Sequence, residues 1–251
     1  MKKTGLVLQA RMGSTRLPGK MTASFFKDKG VFEIIVERIL EKFEASDVIL
    51  ATSSHKRDDV LEEIAAKYGV STYRGSEDDV LQRFIGAAES KSYTDVIRIC
   101  ADNPFLDINA LLELKYNHEN SNADYTAFCL KDGTPSIRTH FGFWGEGVSL
   151  RALQKANELT QDTFYHEHVT NYIYGHPKAF SFKWLSIPSQ LEAYKQSLRF
   201  TLDTPGDFER LKGMFKAWQE TNMTTNELLT LALDNKELIE GMKQEIIKQS
   251  K

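Results

Sequence analysis

Short apolar runs alternate with stretches of helical periodicity through the first half of the chain. Gly5–Ala10 (GLVLQA), Asp47–Thr52 (DVILAT) and Asp95–Cys100 (DVIRIC) are rich in Val, Ile and Leu and bounded by polar residues. Such runs are the mark of strands buried on both faces. Between the first two, Phe32, Ile35, Val36, Ile39, Leu40 and Phe43 recur at the spacing of one apolar helix stripe. Val60, Leu61, Ile64, Ala65 and Tyr68 repeat the pattern after the second strand. Ser76 is expected to cap a third helix, with Glu77, Asp78 and Asp79 in its first turn and Val80, Leu81, Phe84 and Ile85 on its buried face. Strands alternating with helices predict an α/β fold with a mostly parallel sheet covered on both faces.

The second half changes character. In Ala179–Leu185, Phe180, Phe182 and Trp184 alternate with Ser181 and Lys183, which predicts a half-exposed, antiparallel strand. The stretch 125–188 is therefore expected to be an edge subdomain or insertion within a single domain, 1–251, and a place for a dimer contact. Arg199–Asp203 (RFTLD) is predicted to be a core strand, followed by helices, one of them opened by a Thr224-x-x-Glu227 capping box. No internal repeat and no Pro-, Gly- or Ser-rich linker divides the chain.

Composition narrows the function classes. The 251 residues are 41% hydrophobic and 27% charged, with a net charge of −3, enough for a large core and too balanced for a nucleic-acid-binding surface. Met1-Lys2-Lys3-Thr4 is followed by no long apolar stretch, and no segment approaches the roughly 20 apolar residues of a membrane span. Cys100 and Cys129 are the only cysteines, too few for a zinc site or a disulfide scaffold, so a cytoplasmic protein with no membrane partner is expected.

Candidate chemistry begins directly behind the first strand. Ala10–Lys20 (ARMGSTRLPGK) holds three cations, two glycines and two hydroxyls. A loop at the carboxyl end of a parallel strand is where α/β sheets bind ligands, and glycines with Arg or Lys suit a triphosphate. It is not a Walker A loop, because five residues separate Gly13 from Gly19 and Met21 follows Lys20. Nor is it a dinucleotide fingerprint. The alternative is a solvated basic turn. Asp102, before Asn103-Pro104, and Asp203, before Thr204-Pro205, each close an apolar run. Taken singly, either is a turn residue as readily as a ligand. Together, beside a phosphate-binding loop, they are the two hard oxygen ligands that Mg²⁺ takes along with phosphate oxygens.

Arg11–Lys20 (RMGSTRLPGK) resembles the nucleotide-binding loop of the cytidylyltransferases that activate acidic sugars, of the acylneuraminate and 3-deoxy-manno-octulosonate types. Four further stretches agree, in order: Arg74–Phe84 (RGSEDDVLQRF), Arg98–Asp107 (RICADNPFLD), Glu167–Ile173 (EHVTNYI) and Leu202–Phe208 (LDTPGDF). They are most similar to the spore coat polysaccharide biosynthesis branch. The resemblance implies a three-layer Rossmann-like nucleotidyltransferase fold, CTP as nucleotide, Mg²⁺, a sugar or sugar phosphate as acceptor, and a homodimer. It implies that Arg11, Arg16 and Lys20 hold the triphosphate and that Asp102 and Asp203 hold metal. Leu8, Ala10, Gly13, Ser14, Ser76 and Asp79 are expected around the nucleotide. The chemistry would be attack of a sugar oxygen on the α-phosphorus of CTP, with loss of pyrophosphate.

The chain departs from the family pattern at Ala101 and Asn103, beside the metal aspartate. It also departs at Met21 and along His140–Val148 (HFGFWGEGV), a segment expected to line the acceptor pocket. His166-Glu167-His168 is expected to start a helix rather than bind zinc, since neither cysteine is near. Trp144 and Trp184 are expected in core or interface. Two other readings stay open: a related glycosyltransferase using a nucleotide-sugar, and a non-catalytic nucleotide-binding homologue.

Overall fold

The computed structural model describes residues 2–221 and 223–249; Met1, in the charged start, lies outside them. The apolar runs form the middle of a seven-stranded sheet. Its strands are β1 (Thr4–Gln9), β2 (Val48–Ser53), β3 (Ser71–Gly75), β4 (Asp95–Cys100), β5 (Tyr125–Cys129), β6 (Glu146–Ser149) and β7 (Phe182–Ser186). They stand in the order β3-β2-β1-β4-β6-β5-β7. The first four are mutually parallel, β6 runs against both β4 and β5, and β7 is parallel to β5.

Successive side chains of a strand point to opposite faces, and the two faces bury two separate cores. Leu6, Leu8, Val48, Leu50, Ile97 and Ile99 pack against α1 (Val31–Leu40), α2 (Asp59–Lys67) and α4 (Ile108–Glu119). The same core takes in α8 (Pro205–Thr221), α9 (Thr225–Asp234) and α10 (Lys236–Gln249). Val7, Ile49, Ala51 and Val96 pack on the other face against α3 (Val80–Ser90), α5 (Leu150–Leu159) and α7 (Asn171–Gly175). The result is a three-layer helix–sheet–helix molecule, as the alternating pattern predicts. Among the described residues no helix is long and apolar enough to cross a membrane.

Three local expectations are corrected. The strand at the end of 125–188 is parallel to its neighbour, not antiparallel. Its alternation says nothing about direction, and both of its faces are partly covered, Phe182 against one core and Leu185 in the other, with Trp184 exposed; the antiparallel strand is β6, inside the sheet. Arg199–Asp203 is extended and buried but joins no strand. Its backbone bonds go to single partners, Phe200 N–H to the His140 carbonyl (2.7 Å) and Leu202 N–H to the Asp102 carbonyl (3.0 Å), rather than to a ladder. Finally, α3 begins at Val80 and is capped by Asp79, whose carboxylate accepts from Gln82 N–H (2.9 Å). Ser76 instead closes the preceding turn by accepting from Asp79 N–H (3.0 Å).

Candidate active site

β1 and β4 are adjacent and parallel, so the chain leaving each emerges on the same edge of the sheet. From β1 comes the loop 10–20, and from β4 comes Asp102. The Leu202–Asp102 backbone bond then docks the 198–203 segment against the end of β4 and delivers Asp203 to the same place. Two aspartates far apart in sequence thereby share one cation. Lys20 Nζ donates to Asp102 Oδ2 (2.8 Å), to the Leu202 carbonyl (2.7 Å) and to Asp203 Oδ1 (3.3 Å).

Burial by itself would weaken the Lys20 ammonium, but Asp102 and Asp203 outweigh it and hold its pKa above the ordinary 10.5. Burial likewise opposes ionisation of Asp102, yet the Lys20 ammonium keeps that carboxyl below its ordinary range. The two therefore stand as a charged pair. Between the chambers described below, burial pushes the Cys100 thiol up to about 11, which leaves it neutral and a poor nucleophile at neutral pH.

The loop itself is held by its backbone. Met12 N–H donates to Asp58 Oδ1 (2.8 Å), and Leu17 N–H to Ser14 Oγ (3.3 Å). Gly19 has φ of +74°, a conformation open to glycine, and the turn it makes starts the bonds from Thr22 and Ala23 N–H (both 3.0 Å) that fix Lys20. A Cβ at Gly13 would fall 2.1 Å from Glu77 Oε1, so a side chain there would push the Glu77 carboxylate aside. Arg11 reaches the same side, donating to the Glu77 carbonyl (3.2 Å) and lying 3.7 Å from Glu167. Arg16 donates to Asp203 Oδ1 (3.0 Å) and to Gln249 (2.5 Å).

Two cavities open on this edge. One, of about 380 Å³, is lined by the β1 loop, including Ala10, Arg11, Gly13, Ser14, Arg16 and Lys20. The other, of about 430 Å³, is lined on one side by Arg138, His140 and Trp144 and on the other by His168, Asn171 and Tyr174. Cys100, Asp102 and Asp203 line both, so the carboxylates form the partition. Beneath the second cavity Arg98 is buried against Glu146 (2.5 Å), with Gln9 and Thr170 completing its bonds and Tyr125 donating to Glu146. Val169, fully buried at φ +43°, turns the chain between the two. Glu167 before it lines the first cavity, and His168 and Asn171 line the second. A β-branched residue held there is under strain.

Of the residues expected at the site, Arg11, Arg16, Lys20, Asp102, Asp203, Ala10, Gly13 and Ser14 all line the first cavity. Leu8 does not: it is fully buried in the sheet. Ser76 and Asp79 line neither cavity; Asp79 pairs with His166 (2.9 Å), which also meets the Thr160 carbonyl (3.0 Å). Among the described residues no group of three or more His, Cys, Asp or Glu could hold a metal ion.

Sequence reasoning overlooked Arg199 and Asp207. Arg199 donates Nε and Nη2 to the two Asp207 oxygens (2.9 and 3.0 Å), Nη2 to Asp203 Oδ2 (2.9 Å) and Nη1 to His140 Nδ1 (2.7 Å). Asp207 accepts from the N–H groups of Asp203 (3.1 Å) and Thr204 (3.0 Å). Together they fix the Asp203 carboxylate. An Asp four residues past a strand-end Asp and just inside a helix start was the available signal.

Known proteins resemble this chain in sequence and fold. The Cytidylyltransferase family profile matches residues 6–243. The spore coat polysaccharide biosynthesis protein SpsF of Bacillus subtilis (strain 168) is 32% identical over 231 residues, covering 90% of this chain and 92% of its own. A solved cytidylyltransferase from Leptospira borgpetersenii superposes with a TM-score of 0.82 at 28% identity, covering 95% of this chain and 97% of that one. A CMP:2-keto-3-deoxy-manno-octonic acid synthetase complexed with CTP shares the fold at 14% identity, with a TM-score of 0.63 and coverage of 85% and 98%. With a family match spanning nearly all of its length, and a cationic loop meeting two carboxylates at the sheet edge, this chain belongs to the cytidylyltransferase family and is a nucleotidyltransferase enzyme.

Proposed function

We propose that the enzyme transfers CMP from CTP to an oxygen of a sugar or sugar phosphate and releases pyrophosphate. The observation that carries this reading is the partition: Lys20, Asp102 and Asp203 stand where a loop cavity rich in cations meets a second, separate cavity. The first suits a triphosphate and the second an acceptor, so the reacting atoms would meet beside the carboxylates. The relatives point the same way, one named for polysaccharide biosynthesis and one neighbour complexed with CTP.

The acceptor oxygen attacks the α-phosphorus, the bond to the β-phosphate oxygen breaks, and the acceptor proton passes to solvent or to a nearby base. Such chemistry asks a protein for alignment and charge neutralisation more than for covalent participation. Arg11, Arg16 and Lys20 neutralise the triphosphate and the departing pyrophosphate, while the backbone of 12–19, pinned through Asp58, keeps those cations in place.

Asp102 and Asp203 fit a divalent cation, because both already converge on one positive centre, Lys20 Nζ. Two carboxylates are also what Mg²⁺ takes when phosphates supply further ligands. Bound Mg²⁺ would polarise the phosphate and offset charge on the leaving group.

Calorimetric titration of CTP, UTP, ATP and GTP with Mg²⁺ tests the nucleotide, and pyrophosphate release with 3-deoxy-manno-octulosonate, N-acetylneuraminate and sugar 1-phosphates tests the reaction. Selective CTP binding is expected, weakened at least about tenfold in Lys20→Ala by loss of a charged contact. Equal binding of all four nucleotides would remove the CTP assignment.

A further inference from the structure

The helix α6 (Thr163–Glu167) leads into the turn that joins the two cavities, yet it has little apolar hold on the molecule. None of its residues is buried; Thr163, Phe164 and Glu167 are exposed, and Tyr165 and His166 are half-buried. Polar contacts must carry much of its attachment, and His166 makes two of them. Its Nδ1 lies 2.9 Å from Asp79 Oδ2, at the start of α3, and its Nε2 lies 3.0 Å from the carbonyl of Thr160, the residue after α5.

A carbonyl oxygen can only accept, so Nε2 carries a hydrogen. An ionised carboxylate is acceptor-only too, so Nδ1 carries one as well. A ring with hydrogen on both nitrogens is an imidazolium; a neutral ring would set a lone pair against one of the two oxygens. Burial opposes the charge, but the Thr160 carbonyl and the Asp79 carboxylate outweigh it and hold the His166 pKa above the ordinary 6.5. The charged groups that act most on the ring are Asp79 from α3 and Asp162 from the start of α6, both acidic. From α5 it meets the carbonyl end of the helix, which also favours a cation.

The residues after His166 reach both cavities. Glu167 lines the first, 3.7 Å from Arg11, and His168 and Asn171 line the second. Between them Val169 holds φ at +43°, which a β-branched residue keeps only where its surroundings impose it. Downstream of the strained residue, Thr170 Oγ1 donates to the buried Glu146 (2.9 Å). Upstream, His166 supplies the matching anchor.

We propose that His166 is a positioning residue for the transfer reaction: as an imidazolium bridging Asp79 and the Thr160 carbonyl, it clamps the 167–171 turn so that Glu167 and His168 keep their places in the two cavities, and the clamp opens when the ring loses its proton. The catalytic half of this assignment rests on the proposed function, whereas the clamp does not. Deprotonation costs one of the two bonds, whichever nitrogen gives up its hydrogen. Because the folded pKa is raised, the clamp is complete below the unperturbed value and is lost as pH rises through the folded one.

Two-bond ¹H–¹⁵N correlation spectra of the full-length protein labelled with ¹⁵N-histidine identify His166 by its loss in His166→Phe. At about pH 6.5, the unperturbed midpoint, most of the His166 signal should be imidazolium; a neutral ring at that pH would overturn the clamp. Hydrogen-exchange mass spectrometry, corrected for the intrinsic pH dependence of exchange, reads the turn. Protection of the 164–171 amides should fall about fivefold as pH rises through the His166 pKa, as for loss of one modest ion pair. Protection that ignores this titration would overturn the proposal. Asp79→Asn keeps the α3 cap, since Asn caps as well as Asp, and turns an amide donor towards Nδ1. His166 should then become the neutral Nε2–H tautomer, with both bonds kept and protection flat over the same pH range. The rate of pyrophosphate release from CTP tests the positioning role. Its kcat/KM should fall on the alkaline side with the His166 pKa, and that limb should vanish in Asp79→Asn; a profile that ignores His166 would remove the positioning role alone. Absence of pyrophosphate release beside a titrating clamp would overturn the proposed function, and with it the catalytic role of His166, but not the clamp.

Discussion

Arg199 is 1% exposed and engages three neighbours at once. Replacing it with Met would leave Asp207, equally buried, without its main cation. Breaking a buried pair by removing one partner costs about 3–5 kcal/mol, and Arg210, 3.2 Å from Asp207, should hold the loss near the lower end, about 3 kcal/mol. Urea unfolding of Arg199→Met measures it; a loss below about 1 kcal/mol would show that Arg210 and the backbone bonds suffice. The same variant should slow turnover, since Asp203 loses its restraint. Nothing beside Arg199 in the chain marks it, for it reads as the polar start of an apolar run. Lys20 and Asp102 were legible because polar residues following buried strands in an α/β protein fall at one edge of the sheet, whereas Asp203 ends a segment that joins no strand.

At the scale of elements, the β1 loop depends on β2 and the turn after it. Asp58 is fully buried and accepts from Met12 N–H (2.8 Å), Thr52 Oγ1 (2.9 Å), Ser53 N–H (3.1 Å) and Ser53 Oγ (2.6 Å). Burial would raise its pKa, but the bonds from Ser53, Met12 and Thr52 outweigh burial and hold it below the ordinary 3.8. A carboxyl with a depressed folded pKa stabilises the fold above its unfolded value, and that contribution is lost as pH falls through the lower, folded one. The urea midpoint should therefore drop below about pH 4. Asp58→Asn should flatten that decline and cost about 1–3 kcal/mol at neutral pH; an unchanged acid limb would move the effect to other carboxyls. Elsewhere the anticipated capping box is present, with the Thr224 hydroxyl accepting from Glu227 N–H (3.2 Å) and Glu227 accepting from Thr224 N–H (2.7 Å). Thr224→Ala should cost about 1 kcal/mol in thermal melts while CTP affinity stays unchanged, because α9 lines neither cavity of the site.

For the whole molecule, a ligand that joins the β1 loop, the end of β4 and the 198–203 segment should stabilise the fold by mass action. CTP with Mg²⁺ at about a hundred times its Kd would contribute about 2.7 kcal/mol, a rise in Tm of about 5 to 10 °C for a chain of this size. In Asp102→Asn the part of that rise that depends on Mg²⁺ should vanish together with turnover; if it persists, Asp102 is no metal ligand. By itself the sequence determined the three central strands, their helices and the cationic loop, because buried strands and amphipathic helices announce themselves through local periodicity. It also determined the family, through five short stretches in order. Tertiary structure decided the rest. The direction of β7 depends on which strand it lies beside, and its own alternation is the same in either direction. Arg199–Asp203 has a strand's apolar pattern, but its backbone donors found the carbonyls of His140 and Asp102 instead of a ladder. Those bonds bring Asp203 to Lys20 and His140 to Arg199, contacts between segments far apart along the chain that no local pattern encodes.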